Sequence, residues 1–253
     1  MPDTSALAQL RHQPERQAVG ALDHYVKSNL DGSYPARVAV YRAGPSEVEV
    51  LKLEAHGADA AYVTARLDWR VFSATRAESW VLTPDSRRRP MAGMELDVDT
   101  HQMRAAWNQR HDTLVIPRYP IHIFNFDLIS LNMILPHWLE PEGALTFGVV
   151  QPDFAPNPPA LVRYEGTATL RYLGRETRYG QACRAYTLGG EGLGGQTGRA
   201  WVNLAEGYFQ DVELPVPDNP DWNSFKFQWA GREHRDPAGW QAYIAEAVQR
   251  LRA

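Results

Sequence analysis

Between residues 37 and 126, short runs of alternating apolar and polar residues recur between turn-forming Gly, Pro, Asp and Asn, the pattern of β-strands that bury one face. The runs fall at 38–41, 47–53, 61–69, 79–82, 94–98, 113–116 and 121–126. The first two flank Gly44 and Pro45 and predict a hairpin. The alternation returns most clearly at 161–172, where Val162, Tyr164, Ala168, Leu170 and Tyr172 alternate with Arg163, Glu165, Thr167, Thr169 and Arg171. One face of that strand is expected in a core and the other in water. Further strands are predicted at 182–188, 200–204 and 208–214, with connections too short for a crossover, so neighbours are antiparallel.

Other stretches break the β pattern. Residues 1–30 read as helical or irregular, because Ala6, Leu10, Val19, Leu22 and Tyr25 give a helical stripe interrupted by Pro14 and Gly20. Residues 127–135 are apolar nearly all round, with Asp127 placed to cap a helix and Pro136 to end it, so a short buried helix is expected against the sheet. Pro152, Pro156, Pro158 and Pro159 predict a stiff connector over 152–159 between two halves of one sheet. Near the end, Asp236 and Pro237 supply an N-cap and a first-turn proline, and Trp240, Tyr243, Ile244, Ala247 and Leu251 share one apolar stripe. The reading is a single domain over 1–253 of mainly β (α+β) class: a curved antiparallel sheet or half-barrel with a buried short helix and a C-terminal amphipathic helix.

The strand-turn-strand rhythm of 174–180, 183–186, 199–203 and 207–213, with Gly174, Tyr179, Gly180, Cys183, Tyr186, Trp201, Asn203, Gly207 and Tyr208, resembles the LolA-like, or lipoprotein-carrier-like, half-barrels. It covers about residues 160–215. In that superfamily a curved antiparallel sheet wraps a hydrophobic groove plugged by helices. Members bind acyl chains or, in a few cases, act as enzymes on small molecules. The resemblance implies that residues 127–135 are the plug, and it carries over no catalytic residue.

A chain of 253 residues buries roughly 75% of its unfolded surface, so a sizeable core is available. With 8 Trp, 11 Tyr and 8 Phe there are large side chains to wall a cavity as well as fill a core. The formal charge of -4 provides no basic field for a phosphate backbone, and nucleic acid is not an expected partner. Arg87, Arg88 and Arg89 read as a solvated loop after Pro84. Cys183 is the single cysteine, which excludes an intramolecular disulfide and a thiolate metal cluster. Residues 1–16 show no apolar leader and no run is long enough to span a bilayer, so the expected compartment is the cytoplasm, or the periplasm if a leader has been removed.

Candidate chemistry is sparse. Glu95, Asp97, Asp99 and His101 share one face if all lie on one strand, but same-face neighbours stand nearly 7 Å apart, too far to chelate one cation, and a charged solvent face accounts for them. No histidine pair has zinc spacing, and neither a metal nor a cofactor is expected. The loop 189–198 is glycine-rich but lies between strands, without the Lys-Ser/Thr pair of a phosphate loop, and reads as a hairpin loop. Cys183 reads as a small buried residue. His122 shares parity with Phe124 and Phe126 and so points inward, with Asp127 near in sequence. That makes the pair a candidate acid or base and its orienter, against the plainer reading of a hydrogen-bonded buried histidine.

Three functions fit. The first is binding of an apolar small molecule or acyl chain in a groove lined by Phe124, Ile129, Met133, Tyr164, Tyr172 and Trp201, beside the helix at 127–135. The second is a small-molecule enzyme using His122 and Asp127 in the same cavity. The third is a structural or partner-binding protein docking through Trp222, Phe225, Phe227 and Trp229, residues whose strand-like alternation also fits a core.

Overall fold

The computed structural model describes residues 1–54, 60–83, 87–155, 157–217 and 222–250; Pro84, Pro156 and Leu251, singled out above, lie outside them. The strands are β1 (Ala21–Ser28), β2 (Ala36–Tyr41), β3 (Glu47–Glu54), β4 (Ala60–Asp68), β5 (Ser73–Leu82), β6 (Arg88–Asp97), β7 (Gln102–Trp107), β8 (Arg110–Val115) and β9 (Ile121–Ile123). The helix α1 (Ile129–Ile134) follows, then β10 (Ala144–Pro152), β11 (Val162–Arg178), β12 (Gln181–Gly189), β13 (Thr197–Asn203), β14 (Phe209–Leu214), β15 (Phe225–His234) and the helix α2 (Pro237–Arg250). All strands join one sheet in the order β8-β7-β6-β5-β4-β3-β2-β1-β15-β14-β13-β12-β11-β10-β9. Every pairing is antiparallel except β9 with β10.

This order forces the sheet to curve. A flat sheet of this many strands is about 65 Å wide at about 4.8 Å per strand, yet its two edge strands β8 and β9 are joined by residues 116–120, a link that reaches about 20 Å at most. The edges must therefore approach each other. Ile121 N donates to Ser73 Oγ at 3.0 Å and Leu161 N to Asp112 Oδ2 at 2.9 Å, tying the two ends together. They overlap rather than pair. Val149 lies in the main core while Val150 packs with Ile121, Val162, Leu96, Met103 and Trp107, so the β6–β7 end laps over the far side of β9–β10. The result is a curved, unclosed sheet, as the half-barrel reading expects.

The inner face is filled in the second half by Phe147, Leu170, Tyr186, Leu188, Val212 and Phe227, packed against α1 and its flanking turns. The outer face of β1–β5 carries Leu22, Tyr41, Leu51, Tyr62 and Leu82 beneath Trp240, Ile244, Ala247 and Val248 of α2. Asp236 Oδ1 accepts from Gly239 N at 2.7 Å, the cap that the sequence predicts. Among the described residues no helix is long and apolar enough to cross a membrane.

Several local expectations change. Residues 21–28 are strand β1, and β7 and β10 are strands that the alternation did not mark. The strand expected over 121–126 stops at Ile123, and Phe124–Phe126 form a 3₁₀ turn. Asp127 does not cap α1: Leu128 holds the N-cap position, and no side chain caps there. Pro136 sits inside the 3₁₀ turn Leu135–His137 that continues α1. Pro152 is the last residue of β10, where it stands opposite Val162, and the rest of the stretch leads towards β11, the antiparallel neighbour of β10.

Candidate functional site

His122 and Asp127 lie close in sequence, but each has another partner. His122 Nδ1 is 2.7 Å from Ser130 Oγ, and Nε2 is enclosed with no hydrogen-bond partner. The orienter of His122 is therefore Ser130, because the left-handed turn at Asp127 (φ 47°) and Leu128 (φ 59°) directs the Asp127 carboxylate elsewhere. Burial pushes the imidazole down to about 3 against the opposing pull of Asp127, so the ring is neutral across the physiological range. A neutral imidazole suits a general base, but a base must reach its substrate, and this ring is 1% exposed and lines neither of the cavities described below.

Asp127 is instead the centre of an ion cluster. Lys27 Nζ stands 2.9 Å from Oδ1 and Lys52 Nζ 2.6 Å from Oδ2. Burial alone would push this carboxyl up; the two ammonium groups outweigh it and hold it below the usual carboxylate range. Lys27 comes from β1 and Lys52 from the inner face of β3, and Lys27 also lies 4.5 Å from the centre of the Trp222 ring. Two consecutive non-glycine residues in the left-handed region cost roughly 1–2 kcal/mol each, a strain that the paired carboxylate helps hold in place.

Beside this cluster the inner face is hollow. Across β4, β5 and β6 the residues facing inward include Ala61, Val63, Ala77, Ser79 and Ala92, set side by side by the pairings Val63 with Ser79 and Ser79 with Ala92. Ile123, Phe126, Pro152, Phe154 and Trp222 complete the lining. A groove of about 160 Å³ remains, with Lys27 and Lys52 in its lining and Asp127 behind them, 1% exposed. Its apolar rim is open, with Met91 and Phe154 each 37% exposed.

The residues expected to line a groove are not gathered there. Ile129 and Met133 are packed solid, at 0% and 4% exposure, and Phe124 lies in the same core. Tyr172 stacks edge-on against Tyr186 at 5.8 Å in the second half of the inner face. A bulge in β11, which sets Val150 opposite Tyr164 and Val149 opposite Gly166, shifts the alternation, so Tyr164 packs with Ile121 where the sheet ends overlap. Trp201 is on the outer face with Cys183 and Ala185, its Nε1 donating to Glu176 at 2.8 Å and Arg178 stacked over its ring at 4.1 Å. The aromatic residues considered for partner docking are also internal: Phe225 and Phe227 are 3% and 0% exposed. The groove's own wall carries a faint sequence signal, the small inward residues Ala61, Ala77 and Ala92, but no rule of alternation separates a hollow from a filled face.

A second, wider crevice of about 810 Å³ lies between the N-terminal segment and β12–β13. Arg11, Arg16, Arg184 and Arg232 line it with Glu15 and Glu206 beside Leu135, Trp138, Tyr186 and Val202, so charged and apolar walls meet there. Of the acidic run, Asp97 closes β6 and its Oδ1 accepts from Asp99 N and Thr100 N, while His101 has a φ of 58°; Asp99 and His101 therefore belong to the turn into β7, not to a shared strand face. Among the described residues no three His, Cys, Asp or Glu side chains gather as a metal site would require.

No family model matches the chain, and no curated protein matches it. Among solved structures it is similar to a putative outer membrane lipoprotein-sorting protein domain from Vibrio parahaemolyticus, at 8% identity and a TM-score of 0.34 over 92% of this chain and 94% of that one. It is also similar to MucB, at 12% identity and a TM-score of 0.28 over 93% of this chain and 59% of that one. The identities and TM-scores are low, and the fold described above stands on the chain's own strand order.

Proposed function

We propose that this protein binds an apolar small molecule or acyl chain in the groove between the inner face of β4–β6 and the wall formed by Ile123, Phe126, Phe154 and Trp222. The observation that carries this reading is a hollow, lined mostly by apolar side chains and open to solvent, on the inner face of β4–β6. Exposed apolar surface of this kind costs free energy in water, about 25 cal/mol per Å², which a guest recovers. A groove of about 160 Å³ falls below the roughly 300–1,000 Å³ of pockets for drug-sized ligands, so part of a guest lies along its open apolar rim. The site lies beside the Lys27–Asp127–Lys52 cluster and not beside Ile129 and Met133. The Vibrio parahaemolyticus domain is described as sorting outer membrane lipoproteins, and the cytoplasmic expectation gains no support from that likeness.

The test is titration with the neutral fluorophore N-phenylnaphthylamine. Saturable enhancement by the native protein, lost in an Ala92→Trp variant that melts at the native temperature, is the expected result. Absence of saturable enhancement, or an unchanged response in Ala92→Trp, rejects the groove as the site.

A further inference from the structure

The wider crevice, of about 810 Å³, shares no lining residue with the groove on β4–β6 and has the size of pockets that enclose drug-sized ligands. One of its walls comes from β12 and β13. Arg184 stands opposite Val202 in their register and two residues before Tyr186, and both neighbours belong to the inner core. The Arg184 side chain therefore projects on the inner side of the sheet. Trp138 packs against Tyr186 in the same wall, with ring centres 5.6 Å apart. Four arginines face two glutamates in the lining, although the chain as a whole has a formal charge of -4.

These arginines are not equivalent. Arg232 is spent on Asp23 and Glu206, and Arg16 donates to the Pro136 carbonyl at 3.1 Å, a contact that does not neutralise it. Arg184 and Arg11 have no carboxylate partner among the described residues, and the nearby Glu142 is taken by Arg175 at 3.0 Å. Arg184 Nε is enclosed with no acceptor, and so is Nε1 of Trp138, a residue only 3% exposed. A guanidinium on an inner face without a counter-ion carries a desolvation cost that an anion entering the crevice offsets.

We infer that this crevice binds aromatic organic anions, with the anionic group paired to Arg184 and drawn in by the exposed Arg11, and the ring against Trp138 and Tyr186. A planar guanidinium takes carboxylate, sulfonate or phosphate oxygens in pairs and also stacks on aromatic faces, so it suits both halves of such a molecule. The inference is independent of the groove on β4–β6.

The experiment is calorimetric titration of the full chain with 8-anilinonaphthalene-1-sulfonate, compared with N-phenylnaphthylamine, the same ring system without the sulfonate. The expected result is one saturable site for the sulfonate, kept in Ala92→Trp, where the groove is filled. Arg184→Gln should weaken it about tenfold at an unchanged melting temperature, the size of one charge-assisted hydrogen bond. In Ala92→Trp the neutral probe should bind about tenfold more weakly than the sulfonate. Absence of sulfonate binding, its loss in Ala92→Trp, an unchanged affinity in Arg184→Gln, or equal affinities of the two probes in Ala92→Trp each overturns the inference. The groove reading is decided separately, by the neutral probe on the native chain. Should Arg184→Gln fail to fold, Arg11→Glu, at an exposed position, takes its place: weakened sulfonate binding supports the assignment and unchanged binding overturns it.

Discussion

Buried charge in this protein is concentrated at a few residues whose partners come from distant strands. Asp23 takes Arg42 from β2 and Arg232 from β15, and Asp127 takes Lys27 from β1 and Lys52 from β3. In each case the burial of one ion is tolerated because opposite charges close around it, and removing that ion takes an acceptor from buried cations. For Asp127→Asn the expected loss of stability is about 3–5 kcal/mol, because two nearly enclosed ammonium groups lose their shared anion. Urea denaturation measures it, and a loss below about 1 kcal/mol would show that the cluster is relieved by water. Asn132 makes a neutral counterpart of these bonds, donating to Tyr25 Oη at 2.9 Å and accepting from Phe209 N at 2.8 Å, and so ties α1 to β1 and to the start of β14.

Among the elements, α2 is held by Trp240, Ile244, Ala247 and Val248, of which Trp240 is the largest. Trp240 is 1% exposed, stacks on Tyr41 at 5.2 Å and on Tyr243 at 5.6 Å, and donates to Glu49. Its replacement by alanine empties a large site and strips a donor from Glu49, so Trp240→Ala is expected to destabilise by about 3–5 kcal/mol. Asp236→Ala removes only the cap and should cost about 1 kcal/mol. Thermal melts of the two variants give the ratio, and equal shifts would mean that α2 is anchored by its cap and not by its apolar face. The loop 189–198 is likewise more built than a flexible hairpin. Leu193 is 2% exposed in the main core, and Gly190, Gly194 and Gly195 take φ of 146°, 63° and 74°, conformations that let the short 3₁₀ turn Glu191–Leu193 fold back onto β11.

For the molecule as a whole, buried histidines set the response to acid. Burial pushes His122 down to about 3 and His137 down to about 4, both below the ordinary 6.5. The unfolded chain therefore takes up protons first, so stability is complete above about pH 6.5 and falls as pH drops towards the folded values. Asp127 acts in the same sense at lower pH: its folded value is depressed, so its contribution is present above 3.8 and is lost as pH falls below it. With two protons taken up, the slope approaches roughly 2.7 kcal/mol per pH unit. Urea midpoints should thus decline steeply below pH 6.5, and a double variant, His122→Gln with His137→Gln, should flatten the decline. A native midpoint that stays level from neutral pH down to about 4 would contradict the burial of these rings.

The sequence by itself determined the strands whose alternation is local, the buried helix at 129–134 and the terminal helix with its cap at Asp236, because period-two and helical patterning act through neighbours along the chain. It did not reveal β1, where Asp23 and Lys27 are buried as ions and break the apolar pattern; only partners up to about 200 residues away make those positions internal. Likewise His122 was legible as an inward polar group and Asp127 as its neighbour in sequence, but their separate partners depend on a left-handed turn at Asp127 and Leu128 that the sequence pattern does not mark. Tyr164 was assigned to the inner face by parity and Trp201 was placed in the same groove; the bulge in β11 moves the first, and the register of β12 with β13, which sets Trp201 opposite Ala185, places the second outside. The groove itself belongs to tertiary structure alone: a row of small residues becomes a hollow only when the curved sheet brings Ile123, Phe126, Phe154 and Trp222 to the same place.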